Sequence, residues 1–315
     1  MTSTSLRKLA DAQVRNKAAG GDFLGCIIGW QISTDIRITH TDLKTTAINC
    51  QIPEKFIPAA VKPTKAFKKA IKKLQASAKE QELLLRYIGK KCLDDDKEIT
   101  VGVVEETADI SQSTLNYNQL GIIKYSGGII EAVIPKHQNL IDELEKLFDF
   151  YQEHTSDDIR KMLLIFTLEC ATRLTPGGGS YFVPSMYTTL LNSLRNFITQ
   201  IAQKSPNFAS KIFILETYDS PQNQTDLAEI ATSNLESEIL ELATDLDNFL
   251  AEAKTTGSKF KNGLTLRMTQ AQELRSRVQA FANVLNFQST LLENRLAEVE
   301  DAIVDRINHR PQTDQ

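Results

Sequence analysis

The chain has 315 residues, 41% of them hydrophobic and 24% charged, with a formal net charge of −4 at pH 7. This composition is that of a folded globular protein and the length allows two or three domains, so a disordered or low-complexity chain is excluded. No stretch approaches the roughly 20 consecutive apolar residues of a membrane helix, which excludes a membrane partner and favours a soluble, cytoplasmic protein.

Cysteine and histidine are too scattered to predict a metal or disulfide site. The four cysteines form no CxxC pair and the four histidines are equally dispersed, so we expect a reducing compartment, no metal and no cofactor. Residues 1–22 are polar and lack the apolar core of a secretory signal. An amphipathic transit peptide and a short helix carrying Leu6, Leu9 and Val14 both fit this segment. We expect a flexible or short helical N-terminus.

The first predicted strand is the apolar run FLGCIIGWQI at residues 23–32, which follows a pair of glycines. The alternating residues 36–39 are expected to extend this strand or to pair with it. A short helix is predicted from Thr41 to about Cys50. Three prolines after it leave no room for a long helix: Pro53, Pro58 and Pro63.

Helical spacing of apolar residues predicts one long helix from Thr64 that ends at Gly89 as its C-cap. Three β-type runs follow, EITVGVVE, LGIIKY and GIIEAVI, at residues 98–105, 120–125 and 128–134. Ser126-Gly127-Gly128 joins the last two runs as a hairpin turn. These elements predict a small mixed α+β domain over residues 23–135.

A middle α+β module is predicted over residues 136–220. Its first helix begins after Pro135, and its second begins at Thr155, where Thr155 and Asp158 fit a capping box. The remaining elements are short strands at residues 173–174 and 181–183 around a glycine-rich turn, a helix at 185–203 and the strand KIFILETY at 211–218.

The rest of the chain is predicted to be a long antiparallel helical hairpin over residues 221–308, followed by a tail at 309–315. Apolar residues recur at steps of three and four in two stretches, which is the spacing of a coiled-coil seam. A short loop around Gly257 separates the stretches, and two long helices joined in this way pack antiparallel. The fold class is therefore α+β and predominantly helical.

Two details make this hairpin testable. We expect nearly continuous helices over residues 221–254 and 263–307. Leu242 and Leu285 should lie in the buried seams between them, because both follow the step of three and four.

Charge is unevenly distributed along the chain. Ten lysines and arginines stand against two glutamates between Lys62 and Lys91, whereas nine acids stand against one lysine between Asp219 and Lys254. Three interpretations of the basic stretch stay open: a solvated helix face, a face that binds nucleic-acid phosphates, and docking onto the acidic stretch within the chain or between subunits. The residues that would bind DNA or RNA share one side of the helix: Lys65, Lys68, Lys69, Lys72 and Lys73.

Three consecutive glycines, Gly177, Gly178 and Gly179, would let a ligand or another chain approach the backbone closely. No lysine follows them as in GxxxxGK[ST], so a nucleotide P-loop is excluded. A flexible hairpin tip is one interpretation of this turn. It predicts that Tyr181 and Phe182 point to opposite faces and that one face is buried against the helix at residues 155–172. The order helix, strand, turn, strand also fits a winged helix, in which the turn would contact the nucleic-acid backbone and Arg160, Lys161 and Arg173 would lie near it.

Glu216 and Asp219 form a candidate carboxylate pair near the end of a strand. No histidine, lysine or cysteine follows them closely. Acids at strand ends commonly cap the next helix, and Asp219 or Ser220 before Pro221 fits an N-cap followed by proline at the first helical position. We therefore assign no catalytic residue, and an atypical enzyme site near Arg173, Glu216 and Asp219 stays an alternative.

Four segments together resemble an uncharacterised family that is scattered through bacteria, phages and plasmids: GWQI at Gly29–Ile32, GGGSYFVP at Gly177–Pro184, ETYDS at Glu216–Ser220, and the closing helical pair. The resemblance covers residues 23–305, and its most specific element is Gly-Gly-x-Tyr-Phe-Val-Pro. It implies a mobile-element or host–virus setting and carries over no catalytic residue. The basic stretch is not part of the resemblance.

From the sequence we predict a non-enzymatic protein that associates with nucleic acid or takes part in an assembly in such a setting. The lysine-rich helix and the glycine-rich hairpin would contact DNA or RNA. The C-terminal helices would contact a protein partner or a second copy of the chain. The first alternative is a structural or adaptor protein that binds only proteins through these helices, and the second is the atypical enzyme.

Overall fold

The computed structural model describes residues 3–80, 83–93, 96–109, 114–135, 137–174, 179–204, 209–252 and 258–308. Within these ranges the chain forms nine α-helices and ten strands, so the predicted α+β, predominantly helical class is confirmed. The helices are α1 Ser3–Ala18, α2 His40–Asn49, α3 Pro63–Glu80, α4 Gln138–Gln152, α5 Ser156–Cys170, α6 Thr188–Ala202, α7 Pro221–Glu252, α8 Ser258–Leu285 and α9 Thr290–Asn308. The strands are β1 Phe23–Gln31, β2 Arg37–Ile38, β3 Leu83–Leu93, β4 Asp96–Asp109, β5 Thr114–Ser126, β6 Ile129–Val133, β7 His154–Thr155, β8 Thr172–Arg173, β9 Tyr181–Pro184 and β10 Lys211–Tyr218.

A four-stranded antiparallel sheet with the strand order β10-β1-β9-β8 separates two hydrophobic cores. The predicted strands at residues 23–32 and 211–218 are confirmed as β1 and β10, and they pair directly. β1 can lie between two other strands because its sequence is apolar on both faces. Gly25 in β1 has φ of +150°, and a Cβ there would run into the carbonyl oxygen of Val183 on β9, so the close pairing requires glycine.

The two faces of this central sheet belong to different cores. Tyr181 packs with α2, α5 and α6, whereas the next residue, Phe182, packs with the C-terminal helices. Successive side chains of a strand point to opposite faces, so the predicted opposite orientation of these two rings is confirmed. Ile159 and Phe166 of α5 share the core of Tyr181, which confirms the predicted packing of the β8-β9 hairpin against this helix.

A module with a core of its own occupies residues 61–151. The meander β3-β4-β5-β6 forms its sheet, and α3 and α4 cover the face that carries Val101, Val103 and Ile123. The predicted β-type runs are confirmed as parts of β4, β5 and β6. Gly127 and Gly128 form the predicted hairpin turn, with φ of +55° and +86°.

The predicted helix from Thr64 to Gly89 is wrong beyond Glu80. α3 ends at Glu80, and β3 begins at Leu83. Leu83 and Leu85 are buried and pair with β4, so this stretch follows the period-two alternation of a strand. Pairing with β4 outweighs the helical spacing of its apolar residues. Gly89 is not a C-cap, because it lies at an irregularity in the register between β3 and β4.

The prediction that residues 36–39 extend β1 or pair with it is wrong. Instead β2 pairs with β7, with Ile38 opposite His154. Residues 23–57 consequently share a core with residues 159–214, and the 61–151 module is inserted between them. The predicted division at residue 135 therefore does not coincide with a division between cores, because β-pairing joins segments that are far apart in sequence.

The C-terminal part is a bundle of three helices. α7 covers the predicted first helix as far as Glu252, and Leu242 and Leu285 are buried as predicted. The predicted continuous helix over residues 263–307 is wrong, because the chain breaks at Asn286, where φ is +51°. Asparagine is one of the few residues that adopt this left-handed conformation readily. The break lets α9 fold back and pack on both α7 and α8.

Ion pairs along the bundle show that the helical pair α7–α8 is antiparallel, as predicted. Asp245 of α7 binds Arg267 of α8, and the earlier Glu238 binds the later Arg277. Among the described helices, none combines the length and the apolar character needed to cross a membrane.

Candidate nucleic-acid interface

Helix α3 is amphipathic over its whole length, which is why it folds onto the sheet of the inserted module. Pro63 stands at its first helical position, where a missing N–H costs nothing. Its buried residues recur at steps of three and four and include Phe67, Ile71 and Leu74. Phe67 stacks on Tyr125 of β5 with the ring centroids 4.8 Å apart. This packing turns the opposite side of α3 towards solvent.

The exposed side of α3 carries only lysines among its charged residues until Glu80. At 3.6 residues per turn the lysines cover about 140° of the helix circumference and about 25 Å of its length. The five predicted residues are exposed and share this side, and two further exposed lysines extend it. We call this surface the lysine face: Lys62, Lys65, Lys68, Lys69, Lys72, Lys73 and Lys79.

The lysine face is not neutralised by its surroundings. Among the ion pairs of the described residues, none involves one of its lysines. Lys69 lies over the ring of Tyr151, with 5.8 Å between Nζ and the ring centroid. Helix α4 packs beside α3 and exposes Asp142, Glu145 and Asp149 together with Lys146, so the neighbouring helix has an acidic excess. A polyanion would therefore contact α3 while avoiding α4.

The β8-β9 hairpin is confirmed at its base, but its tip, including Gly177 and Gly178, lies outside the described residues. Gly179 is exposed, and no atom would obstruct a Cβ there. Arg173 is exposed, with its guanidinium 5.8 Å from the ring centre of Tyr181. The carbonyl oxygen of Arg173 accepts a hydrogen bond from the side-chain amide of Asn234 at 2.5 Å, which fastens the hairpin to α7.

The structure does not join Arg173 and the lysine face into one surface. Arg173 lies at an edge of the central sheet, whereas the lysine face belongs to the inserted module with its separate sheet. The winged-helix interpretation also loses a contact, because the guanidinium of Arg160 on α5 donates to Asp157 and to the carbonyl oxygen of Ile32. Among the predicted nucleic-acid residues that the structure describes, the α3 lysines alone form a continuous surface.

The predicted group Arg173, Glu216 and Asp219 does not converge either. Arg173 is on β8 and Glu216 on β10, the two opposite edges of the central sheet. The Tyr218 hydroxyl donates to Glu216 at 2.6 Å and Lys17 binds it at 3.3 Å, and these contacts hold the pKa of the Glu216 carboxyl below its usual value. Ser220 accepts the backbone N–H of Asn223, so the predicted cap before Pro221 is present.

Reactive thiols and metal ligands are not assembled in the part of the chain that the structure describes. No group of three His, Cys, Asp or Glu side chains there could hold a metal ion. Burial raises the pKa of Cys26 to about 11 and that of Cys170 to about 12. Both thiols are therefore protonated near neutral pH and poor nucleophiles.

One polar contact has no signal in the sequence. His40 Nδ1 lies 3.0 Å from His154 Nε2, although the two residues are 114 positions apart. The β2–β7 ladder brings them together, and the sequence presents them only as two of four dispersed histidines. Neither the alternation of residues 36–39 nor the capping box at Thr155 predicts this pairing.

Comparisons with known proteins give one match. No curated protein and no solved structure matches the chain. One family model, described as a family of unknown function, matches residues 23–310. This range includes the central sheet, the inserted module and the C-terminal bundle. The chain therefore belongs to the family of unknown function DUF6744.

Proposed function

We propose that the protein binds nucleic acid through the lysine face of α3, as a non-enzymatic component of a mobile-element or host–virus system. One observation carries the proposal: seven exposed lysines along about 25 Å of one helix side, without an ion pair to a described acid. Keeping like charges this close is unfavourable in isolation, and a phosphate backbone is the ligand that relieves it.

The chemistry of the face defines how it would bind. Lysine ammonium groups contact phosphates as point charges and carry no base information. No aromatic side chain lies on the exposed side of α3, so the face offers no platform for stacking unpaired bases. Binding should therefore be independent of sequence, and duplexes should bind at least as well as single strands.

The test is a salt-titrated binding assay with duplex and single-stranded DNA and RNA of equal length. With about five phosphate contacts, affinity should fall roughly 10²- to 10³-fold between about 50 and 200 mM salt. Reversal of Lys68, Lys69 and Lys72 to glutamate should abolish binding. The matched control reverses Lys8, Lys161 and Lys261, three exposed lysines on α1, α5 and α8. Equal losses in both variants, or no binding by the wild type, would overturn the proposal.

The first alternative, a protein that binds only proteins through its C-terminal helices, has its own supporting observation. Large apolar side chains are exposed on all three helices of the bundle, with Leu240 65%, Leu266 57% and Leu291 61% exposed. Exposed leucines on helices can seat a partner helix. Sedimentation of the wild type and of Leu240→Glu tests this alternative for a second copy as the partner: the wild type should be an oligomer, and the substitution should dissociate it. The alternative also requires that neither the wild type nor the variant with the α3 reversals binds nucleic acid.

A further inference from the structure

The contact between His40 and His154 is the most unusual polar feature of the described residues. His154 is only 1% exposed, and His40 is half-buried. The imidazole rings lie 5.3 Å apart with 46° between their planes, so the nitrogens meet edge to edge and the rings are not stacked. On the far side of His154, Asp158 Oδ2 is 3.5 Å from Nδ1.

The neighbours of His154 determine which of its nitrogens carries the proton. Nδ1 faces the Asp158 carboxylate, which also accepts the backbone N–H of Thr155 at 2.9 Å in the capping box of α5. A carboxylate attracts an N–H and repels a lone pair, so Nδ1 is protonated. Nε2 is then the acceptor for the Nδ1–H of His40. His154 therefore lies between the donor of His40 and the Asp158 carboxylate, which attracts the Nδ1 proton across 3.5 Å without forming a hydrogen bond.

These three side chains lie where the inserted module rejoins the rest of the protein. β7, which carries His154, begins two residues after α4 ends. The facing strand β2 carries Arg37, whose guanidinium carbon lies 4.1 Å from the centre of the Phe150 ring on α4. We propose that the His40–His154 pair is a proton-operated latch at this junction, closed while His154 is neutral and opened when Nε2 of His154 takes up a proton.

Protonation of His154 opens the latch because of the atom at which the proton binds. Nε2 of His154 is the acceptor for the Nδ1–H of His40, so a proton on Nε2 removes the hydrogen bond. The imidazolium of His154 would then face the Nδ1–H of His40 beside the N-termini of α2 and α5, where the helix dipoles are positive.

Besides Asp158, the junction contains Glu153, which directly precedes His154 in the sequence, and several charged groups that have partners of their own. Asp157 and Arg160 of α5 bind each other, Arg37 of β2 lies over Phe150, and Asp42 of α2 is paired with Lys204 of α6. Burial is the main cause that lowers the pKa of His154, Asp158 opposes it, and His40 lowers it further. A lowered folded pKa means that the latch is fully stable above about pH 6.5 and weakens as pH falls below that value.

Hydrogen exchange of the full chain tests the latch. Protection of amides in residues 36–39 and 153–156, corrected for intrinsic exchange, should fall at least tenfold between about pH 7.5 and about pH 5.5. Amides in the β4-β5 ladder of the module should keep their protection. In His40→Gln the side-chain amide can still donate to His154, but the imidazole that lowers the pKa of His154 is removed, so the loss of protection should move to lower pH. His137→Gln, which removes a half-buried histidine next to α4, is the control and should behave as the wild type.

Equal protection of the amides in residues 36–39 and 153–156 at both pH values in the wild type would overturn the latch. So would a His40→Gln variant that opens at the same pH as the wild type. A separate readout is the imidazole resonance of His154, which should titrate below about pH 6.5 in the folded wild type. Titration at or above that value would also overturn the inference.

Discussion

Arg277 of α8 holds Glu238 of α7 with both terminal nitrogens, at 2.5 and 3.1 Å from the two carboxylate oxygens. The same guanidinium donates to the carbonyl oxygen of Ala171 at 3.0 Å, just after α5 ends. Because the Arg277 side chain is only 5% exposed, its positive charge is stabilised by these partners and hardly by water. One side chain thus ties the C-terminal bundle to the helix on the other side of the central sheet.

Glu238→Ala should lower the free energy of unfolding by about 3 kcal/mol, because it leaves Arg277 charged in a buried position. We place the loss at the low end of the range for buried pairs, since Glu238 is 32% exposed. Glu300→Ala, which breaks the more exposed pair with Arg275, should cost about 1 kcal/mol or less. Denaturant unfolding measures both, and equal losses would contradict the special role of Arg277.

Leu242→Ala and Leu285→Ala should each cost about 2–5 kcal/mol, because both leucines are buried in the bundle core. Leu240→Ala is the matched control on the same helix as Leu242. Its side chain is 65% exposed, so the change should stay within about 0.5 kcal/mol. Unfolding of the three variants under one condition gives the comparison, and a large loss for Leu240→Ala would indicate that a partner covers it.

If the lysine face binds phosphates, the salt dependence of the affinity should reflect the number of lysine–phosphate contacts. Neutralising Lys68, Lys69 and Lys72 to glutamine removes three contacts and should reduce the slope of log affinity against log salt by about 2.7 for duplex DNA. The reduction should be equal for unrelated sequences, because phosphate contacts do not distinguish bases. A slope that stays at the wild-type value would show that other residues contact the phosphates.

Cys26 and Cys170 should resist alkylation at about pH 8 in the folded protein, because burial raises the pKa of both thiols to about 11 and about 12 and excludes the reagent. Unfolding in denaturant should expose them and restore ordinary reactivity. Mass spectrometry after a short pulse of iodoacetamide distinguishes the two states, and rapid labelling of Cys170 in the folded protein would contradict its burial.

Gly25→Ala should destabilise the central sheet by more than about 1 kcal/mol, because the residue has positive φ and a Cβ would strike the Val183 carbonyl. Gly128 also has positive φ, but no atom lies within 4 Å of a Cβ placed there. Gly128→Asn, a residue that tolerates this conformation, should therefore be nearly neutral. Thermal unfolding of both variants measures the difference.

Local patterns predicted much of the secondary structure and little of the pairing. The β1 and β10 runs, the capping box at Thr155 and the opposite faces of Tyr181 and Phe182 follow from short-range chemistry and are correct. The stretch after Glu80 fits both a helical and an alternating pattern, and only the partner strand β4 decides between them. A helical period likewise continues across Asn286 although the chain reverses there.

The lysine face was predictable because its residues are neighbours on one helix. The latch histidines were not, because a ladder of two residue pairs brings them together over a large separation. The same limit applies to Arg173 and Glu216, which are far apart in the sequence and lie on opposite edges of one sheet. Convergence of distant side chains depends on topology, which single-segment patterns do not carry.

The pairing of β1 with β10 has a consequence for synthesis of the chain on the ribosome. Phe23 faces Tyr218, so the first strand must wait for almost 200 further residues before its edge is covered. The inserted module needs no partner outside residues 61–151 for its core and can fold while the remainder is still being made. During that interval the apolar β1 segment is exposed, and a chaperone that shields extended apolar segments would bind it there.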